Sequence, residues 1–181
     1  MVGAGDHGCW LGWYERDKAK LLAAALDTGS IFYDVGANVG FYSLLGAACV
    51  GSGGRVIAFE PVPENLLILQ KHIAMSQLTN VTVIPAAVSD RCGAGRLQAG
   101  AANTTGCLSV DGDREVETGA LDALVFERRL PVPQVIKWIL KTEKPPLSEA
   151  QSKHLGCTDQ HCSWRRTAQI FVANVLRCRV A

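Results

Sequence analysis

Tyr33-Asp-Val-Gly-Ala-Asn-Val-Gly-Phe-Tyr42, followed by Ala58-Phe-Glu-Pro-Val-Pro-Glu-Asn65, decides the fold. Ile31 to Val35 is β-branched and aromatic, which favours a strand, and Gly36 and Gly40 allow a tight turn directly after it. Phe41 to Val50 is apolar and small, suiting a helix that packs on a sheet, and Gly51-Ser-Gly-Gly54 breaks it. Arg55 to Phe59 repeats the strand composition. Asp34 lies at the end of the first strand and Glu60 at the end of the second, where α/β sheets bind ligands. Two acids at strand ends, bracketing a turn that brings backbone N–H groups close to a ligand, suit a nucleoside-containing cofactor.

Outward from this unit the pattern continues. Lys18 to Leu26 has Ala19, Leu22, Ala23 and Leu26 at helical spacing, closed by Asp27-Thr-Gly29. Pro63 opens a second helix with Leu66, Leu69 and Ile73 on one face, and Val81 to Val88 reads as a third strand interrupted by Pro85. Ser89 to Val116 is rich in Gly, Ala, Asn and Thr and predicts a hairpin excursion. Gly119 to Arg128 predicts a short helix, Val135 to Leu140 a fourth strand, and Ala168 to Leu176 a further helix. Strands alternating with helices imply a parallel sheet with right-handed crossovers and helices on both faces, a three-layer Rossmann-like α/β fold.

Bulk properties narrow the function. A formal charge of +1 with no Lys/Arg run gives no electrostatic footprint for nucleic acid. No stretch approaches a membrane span and the first thirty residues lack a signal-peptide pattern, so a cytoplasmic protein without membrane partners is expected. Seven scattered cysteines in such a chain predict reduced thiols. In that setting the glycosylation acceptor patterns Asn80-Val-Thr82 and Asn103-Thr-Thr105 are chance matches.

The turn also discriminates between cofactors. Dinucleotide-binding proteins use Gly-x-Gly-x-x-Gly, which sets a pyrophosphate on a helix N-terminus. Here Gly36-Ala-Asn-Val-Gly40 has an acid two residues before it, and that acid would repel phosphate, so a cationic sulfonium suits it better. A formal match at Gly3-Ala-Gly5-Asp-His-Gly8 has no strand before it and is a decoy.

At these residues the chain resembles the FkbM-type family of S-adenosylmethionine-dependent methyltransferases. Trp10-Leu-Gly-Trp-Tyr-Glu15, Asp34 to Tyr42, Phe59 to Asn65, Asn80-Val-Thr-Val83, Ala86-Ala-Val-Ser-Asp90, Asn103-Thr-Thr-Gly106, Val116 and Leu121-Asp-Ala-Leu124 are similar to the family's successive motifs, covering about residues 9 to 137. The resemblance implies S-adenosylmethionine as cofactor, no metal, and transfer of its methyl to a hydroxyl oxygen on a sugar or other small metabolite. It implies cofactor contacts from Asp34, Gly36, Ala37, Asn38, Gly40 and Phe41 around the methionine part, Glu60 at the ribose, and Ala87 and Val88 beside the adenine. No catalytic base is assigned.

After Lys137 the resemblance stops. The family continues from its fourth strand with an Asp-Val/Ile-Glu-Gly-x-Glu run, whereas this chain reads Trp138-Ile-Leu-Lys-Thr-Glu-Lys-Pro-Pro146. Reading from the last base of the Trp138 codon forces an Asp, since TGG is followed by an Ile codon beginning AT. Synonymous choices then permit Ile-Glu and an in-phase Leu-x-Gly-Ala. Residues 1–137 are therefore expected to form the N-terminal and central part of a methyltransferase domain, C-terminally incomplete, and 138–181 a divergent, out-of-frame and poorly ordered tail. A gene sequence with no shifted reading for Asp-Ile-Glu ends that idea. His154, Cys157, His161 and Cys162 in this tail form no recognised zinc knuckle. The competing readings are a truncated, catalytically inactive methyltransferase-like protein that retains at most cofactor binding and a nicotinamide-dependent oxidoreductase.

Overall fold

A computed structural model of the chain describes residues 16–99, 106–127, 129–138 and 175–177. Helix α1 (Arg16–Ala25), strand β1 (Ile31–Val35), α2 (Phe41–Val50), β2 (Arg55–Phe59), α3 (Pro63–Met75) and β3 (Val81–Ile84) alternate along the chain. β1 and β2 pair parallel, as do β2 and β3, and both helical crossovers have the lengths that the glycine and proline punctuation predicts. β4 (Ala87–Ser89), β5 (Gly93–Ala99), β6 (Gly106–Leu108) and β7 (Arg114–Ala120) form a second sheet in the order β4-β7-β5-β6. α4 (Leu121–Glu127) leads back to β8 (Val135–Trp138), which lies parallel beside β1, and β9 (Val175–Arg177) closes the larger sheet as β3-β2-β1-β8-β9.

Strand alternation assigns the two faces. Tyr33, Val35, Ile57, Phe59 and Ile136 pack with Leu124 of α4, while Phe32, Val56 and Val135 pack with Leu22 of α1, Leu26 just after it, and Ala47 and Val50 of α2. Ala58 meets Leu69 of α3 on this second face. The result is three layers with helices on both faces of a largely parallel sheet, which is the Rossmann-like α/β architecture. Each fully buried side chain of this size contributes about 1.5–3 kcal/mol. Tyr33 also ties the layers together, since its hydroxyl donates to the Pro131 carbonyl at 2.8 Å ahead of β8. Burial pushes that phenol well above its usual range, so it stays a neutral donor.

Four expectations are corrected. The third strand ends at Ile84, and Ala87–Ser89 after Pro85 joins the second sheet, parallel to β7. The buried face of α3 is Asn65, Leu69 and His72, with Leu66 and Ile73 only half-buried. Asn65 and His72 are tolerated inside because each is hydrogen-bonded, Asn65 Nδ2 to Glu60 Oε1 at 3.1 Å and His72 Nδ1–H to the Val39 carbonyl at 2.7 Å. Gly119 and Ala120 belong to β7 rather than to the helix after it. Of the helix expected over Ala168 to Leu176, residues 168–174 lie outside the described residues, and Val175 and Leu176 form part of β9. The decoy glycines at Gly3, Gly5 and Gly8 and the His154–Cys162 cluster also lie outside them. Asn80 donates its amide to the Ala47 and Gly51 carbonyls at 3.0 and 2.8 Å, capping α2, which explains its place without glycosylation. Among the described residues no helix is long and apolar enough to cross a membrane.

Candidate cofactor site at the carboxyl edge of the parallel sheet

Asp34 is the fourth residue of β1, on the face covered by α1, α2 and α3, with no solvent exposure. A carboxylate in that position is costly unless paired. Its Oδ1 accepts from Lys137 Nζ at 2.6 Å and its Oδ2 accepts from the Ser43 hydroxyl at 2.6 Å. The strand register dictates the first contact, because Lys137 of β8 stands directly beside Asp34 of β1. Lys137 is itself only 3% exposed. The pair cancels the negative charge that the sequence reading sets against a pyrophosphate. Discrimination against phosphate therefore does not rest on Asp34.

The glycine turn follows. Gly36 N–H and Ala37 N–H both donate to the Phe59 carbonyl, at 3.0 and 2.9 Å, so the chain leaves β1 clamped to the end of β2. Gly36 and Asn38 have φ values of +73° and +53°, in the left-handed region that glycine and asparagine adopt most readily. A Cβ on Gly36 would meet no atom within 4 Å, so the turn is open on that side. Gly40 differs: with φ at +96°, its Cβ would fall 2.5 Å from Leu69 Cδ1. Gly40 thus has a packing reason as well, its bare Cα making room for Leu69 of α3. Ala37 is buried against Ala58 and Leu69, and Phe41 is half-buried, its ring edge-on to Tyr42.

Glu60 closes the other side. It is 4% exposed, and its Oε2 accepts the Asn38 N–H at 2.7 Å while Oε1 accepts the Val62 N–H at 3.0 Å and the Asn65 amide at 3.1 Å. Burial raises its pKa above the usual carboxylate range, against the opposing pull of those hydrogen bonds and of the Lys137 charge. A carboxylate has about four acceptor directions. The described partners occupy three, leaving one on Oε2. Ala87 packs with Val62 just beyond Glu60, and Val88 lies against the cluster of Phe59, Ile84 and Ala86. The candidate residues therefore converge on one edge, beyond the ends of β1, β2 and β3.

The methyltransferase FkbM domain profile matches residues 34–139, which span β1 to β8. The chain belongs to the FkbM methyltransferase family. Within the curated proteins, the family member is 30% identical over 128 residues to the hexuronic acid methyltransferase AglP of Haloferax volcanii, covering 68% of this chain and 50% of that protein. The chain thus spans about half the length of that relative. Among solved structures, a SAM-dependent methyltransferase from Aquifex aeolicus overlaps with a TM-score of 0.39 at 23% identity, over 52% of this chain and 48% of that one. A SAM-dependent O-methyltransferase from Thermotoga maritima overlaps at 0.37 and 23%, over 41% of this chain and 34% of that one.

Two residues of the site were missed in the sequence. Ser43 sits in the first turn of α2, so its hydroxyl points back at the end of β1. Lys137 shares with Val135 the β8 face that α1 and α2 cover, and its place within an otherwise apolar strand was the available signal for a buried, paired lysine.

Proposed function

We propose that the chain is an S-adenosylmethionine-dependent methyltransferase that methylates a hydroxyl oxygen on a sugar or other small metabolite. The observation that carries this reading is the Gly36–Gly40 turn clamped between the ends of β1 and β2, open at Gly36 and facing a buried Glu60, inside the segment that matches the FkbM domain. Gly36, Asn38, Gly40, Phe41 and the backbone of Ala37 would surround the methionine part, with Asp34 holding the turn from behind. Glu60 Oε2 would accept one ribose hydroxyl, one fewer than an unengaged carboxylate could take, and Ala87 and Val88 would flank the adenine. When bound, the cofactor would supply an electrophilic methyl on a sulfonium, whose transfer to a hydroxyl oxygen returns the breaking bond's electron pair to sulfur and releases the hydroxyl proton. The chain's contribution is alignment.

The AglP match supports a sugar acceptor. Titration by calorimetry tests the cofactor: binding of S-adenosylhomocysteine without binding of NAD is expected, and NAD binding overturns the reading. A second reading is an inactive member that keeps cofactor binding, favoured by the lack of any acid between Lys137 and Glu143. On either reading residues 1–137 carry the methyltransferase part, and 138–181 form a divergent tail of which β9 pairs with β8. Transfer of a labelled methyl group to a panel of hexoses and hexuronic acids separates the two, since binding without transfer to any of them favours the inactive member.

A further inference from the structure

We propose that Lys137 is a positioning residue that sets the shape of the glycine turn and so selects for the amino-acid end of the cofactor. The inference rests on the cofactor reading above. Lys137 reaches across from β8 and makes three contacts: Asp34 Oδ1 at 2.6 Å, the Gly36 carbonyl at 3.0 Å, and the face of the Tyr42 ring, 4.9 Å from its centroid. An ammonium has three N–H donors. Two of them are spent on Asp34 and Gly36 and the ammonium sits over the Tyr42 ring, so its recorded contacts are all with groups of this chain, as a positioning role requires.

Its effect runs through Gly36. The N–H of Gly36 is held by the Phe59 carbonyl of β2 at 3.0 Å, and its C=O is held by Lys137 of β8. The residue at which the chain turns out of β1 is therefore pinned from both neighbouring strands. The peptide that carries this carbonyl is held at its other end by the Ala37 N–H, which donates to the Phe59 carbonyl at 2.9 Å, so Lys137 supplies the second of the two anchors that fix its plane. Glu60 shares only the Asn38 N–H with the turn and keeps its bonds to Val62 and Asn65, which lie outside it. Loss of Lys137 should then disturb the half of the site at the turn and spare the half at Glu60.

Two ligands separate those halves. S-adenosylhomocysteine carries both the nucleoside and the amino-acid end, whereas methylthioadenosine carries the nucleoside alone. In the full chain, Lys137→Met strands the Asp34 carboxylate, so the paired variant Asp34→Asn with Lys137→Met is measured alongside it. For the double variant, affinity for S-adenosylhomocysteine should fall about tenfold or more while affinity for methylthioadenosine stays within about twofold. Equal losses for both ligands would mean a merely structural role, and unchanged affinities would mean none; either outcome overturns the proposal. Wild-type protein that binds neither ligand overturns the cofactor reading itself, and the inference with it.

Discussion

The two sheets handle polar groups in opposite ways. At the carboxyl edge of the parallel sheet Asp34, Glu60, Asn65, His72 and Lys137 are all buried, yet hydrogen bonds tie them to one another or to the backbone of the loops that follow β1 and β2. In the second sheet the charged residues of β7, Arg114, Glu115 and Glu117, lie exposed, and its visible tie to α3 is the surface pair of Arg114 with Glu64 at 2.6 Å. Buried polar groups are expensive unless satisfied, so the first arrangement persists only as a complete network, while the second loses little when any member is removed. Site and excursion are therefore expected to answer mutation on different scales.

The strongest test strands a charge. Asp34→Ala leaves the Lys137 ammonium buried without a counter-charge, and denaturant unfolding should show a loss of about 3–5 kcal/mol. Next come the two glycines. Gly40→Ala meets both an unfavourable φ and the fully buried Leu69, for a loss of about 3 kcal/mol. Gly36→Ala meets only the unfavourable φ and should cost about 1–2 kcal/mol, yet weaken S-adenosylhomocysteine binding about tenfold, because its methyl projects into the open side of the turn. Equal binding losses in the two variants would break the division between packing and ligand-facing glycines.

Glu60 gives a smaller, pH-dependent effect. Because burial raises its pKa, the folded chain holds that proton more tightly than the unfolded chain does. Its contribution is thus a penalty above the raised pKa that is relieved as pH falls through it and fully relieved below the ordinary carboxyl value. Thermal melts of wild type against Glu60→Gln should show the wild type gaining relative stability on acidification across that window. Affinity for S-adenosylhomocysteine should fall over the same window, since the ionised carboxylate is the better acceptor. The smallest effect belongs to the second sheet: Glu64→Ala breaks an exposed ion pair and should leave the melting temperature unchanged within error.

Much of the scaffold was legible locally. β1, α2 and β2 begin and end where the sequence places them, because β-branched strands, an apolar helix and glycine breaks each act within a few residues. The errors came where partners are distant. The expected buried face of α3 omits His72, and the acceptor that brings it inside lies 33 residues away at Val39. Val81 to Val88 reads as one strand across Pro85, and only the pairing of Ala87–Ser89 with β7, distant along the chain, shows that its last part joins the other sheet. Asp34 and Glu60 were found as acids at strand ends, but not the internal hydrogen bonds that engage them.

By itself the sequence determined a strand, a glycine turn, a helix and a second strand with acids at the ends, and with them the family. Those features depend on backbone freedom and side-chain shape over a few neighbours, which composition records directly. Only the tertiary structure decided which of those acids is neutralised, which glycine faces the open side, and that Lys137 braces the turn. Charge pairing across parallel strands joins residues 103 positions apart. Its energy depends on register and burial, which exist only once the sheet has closed.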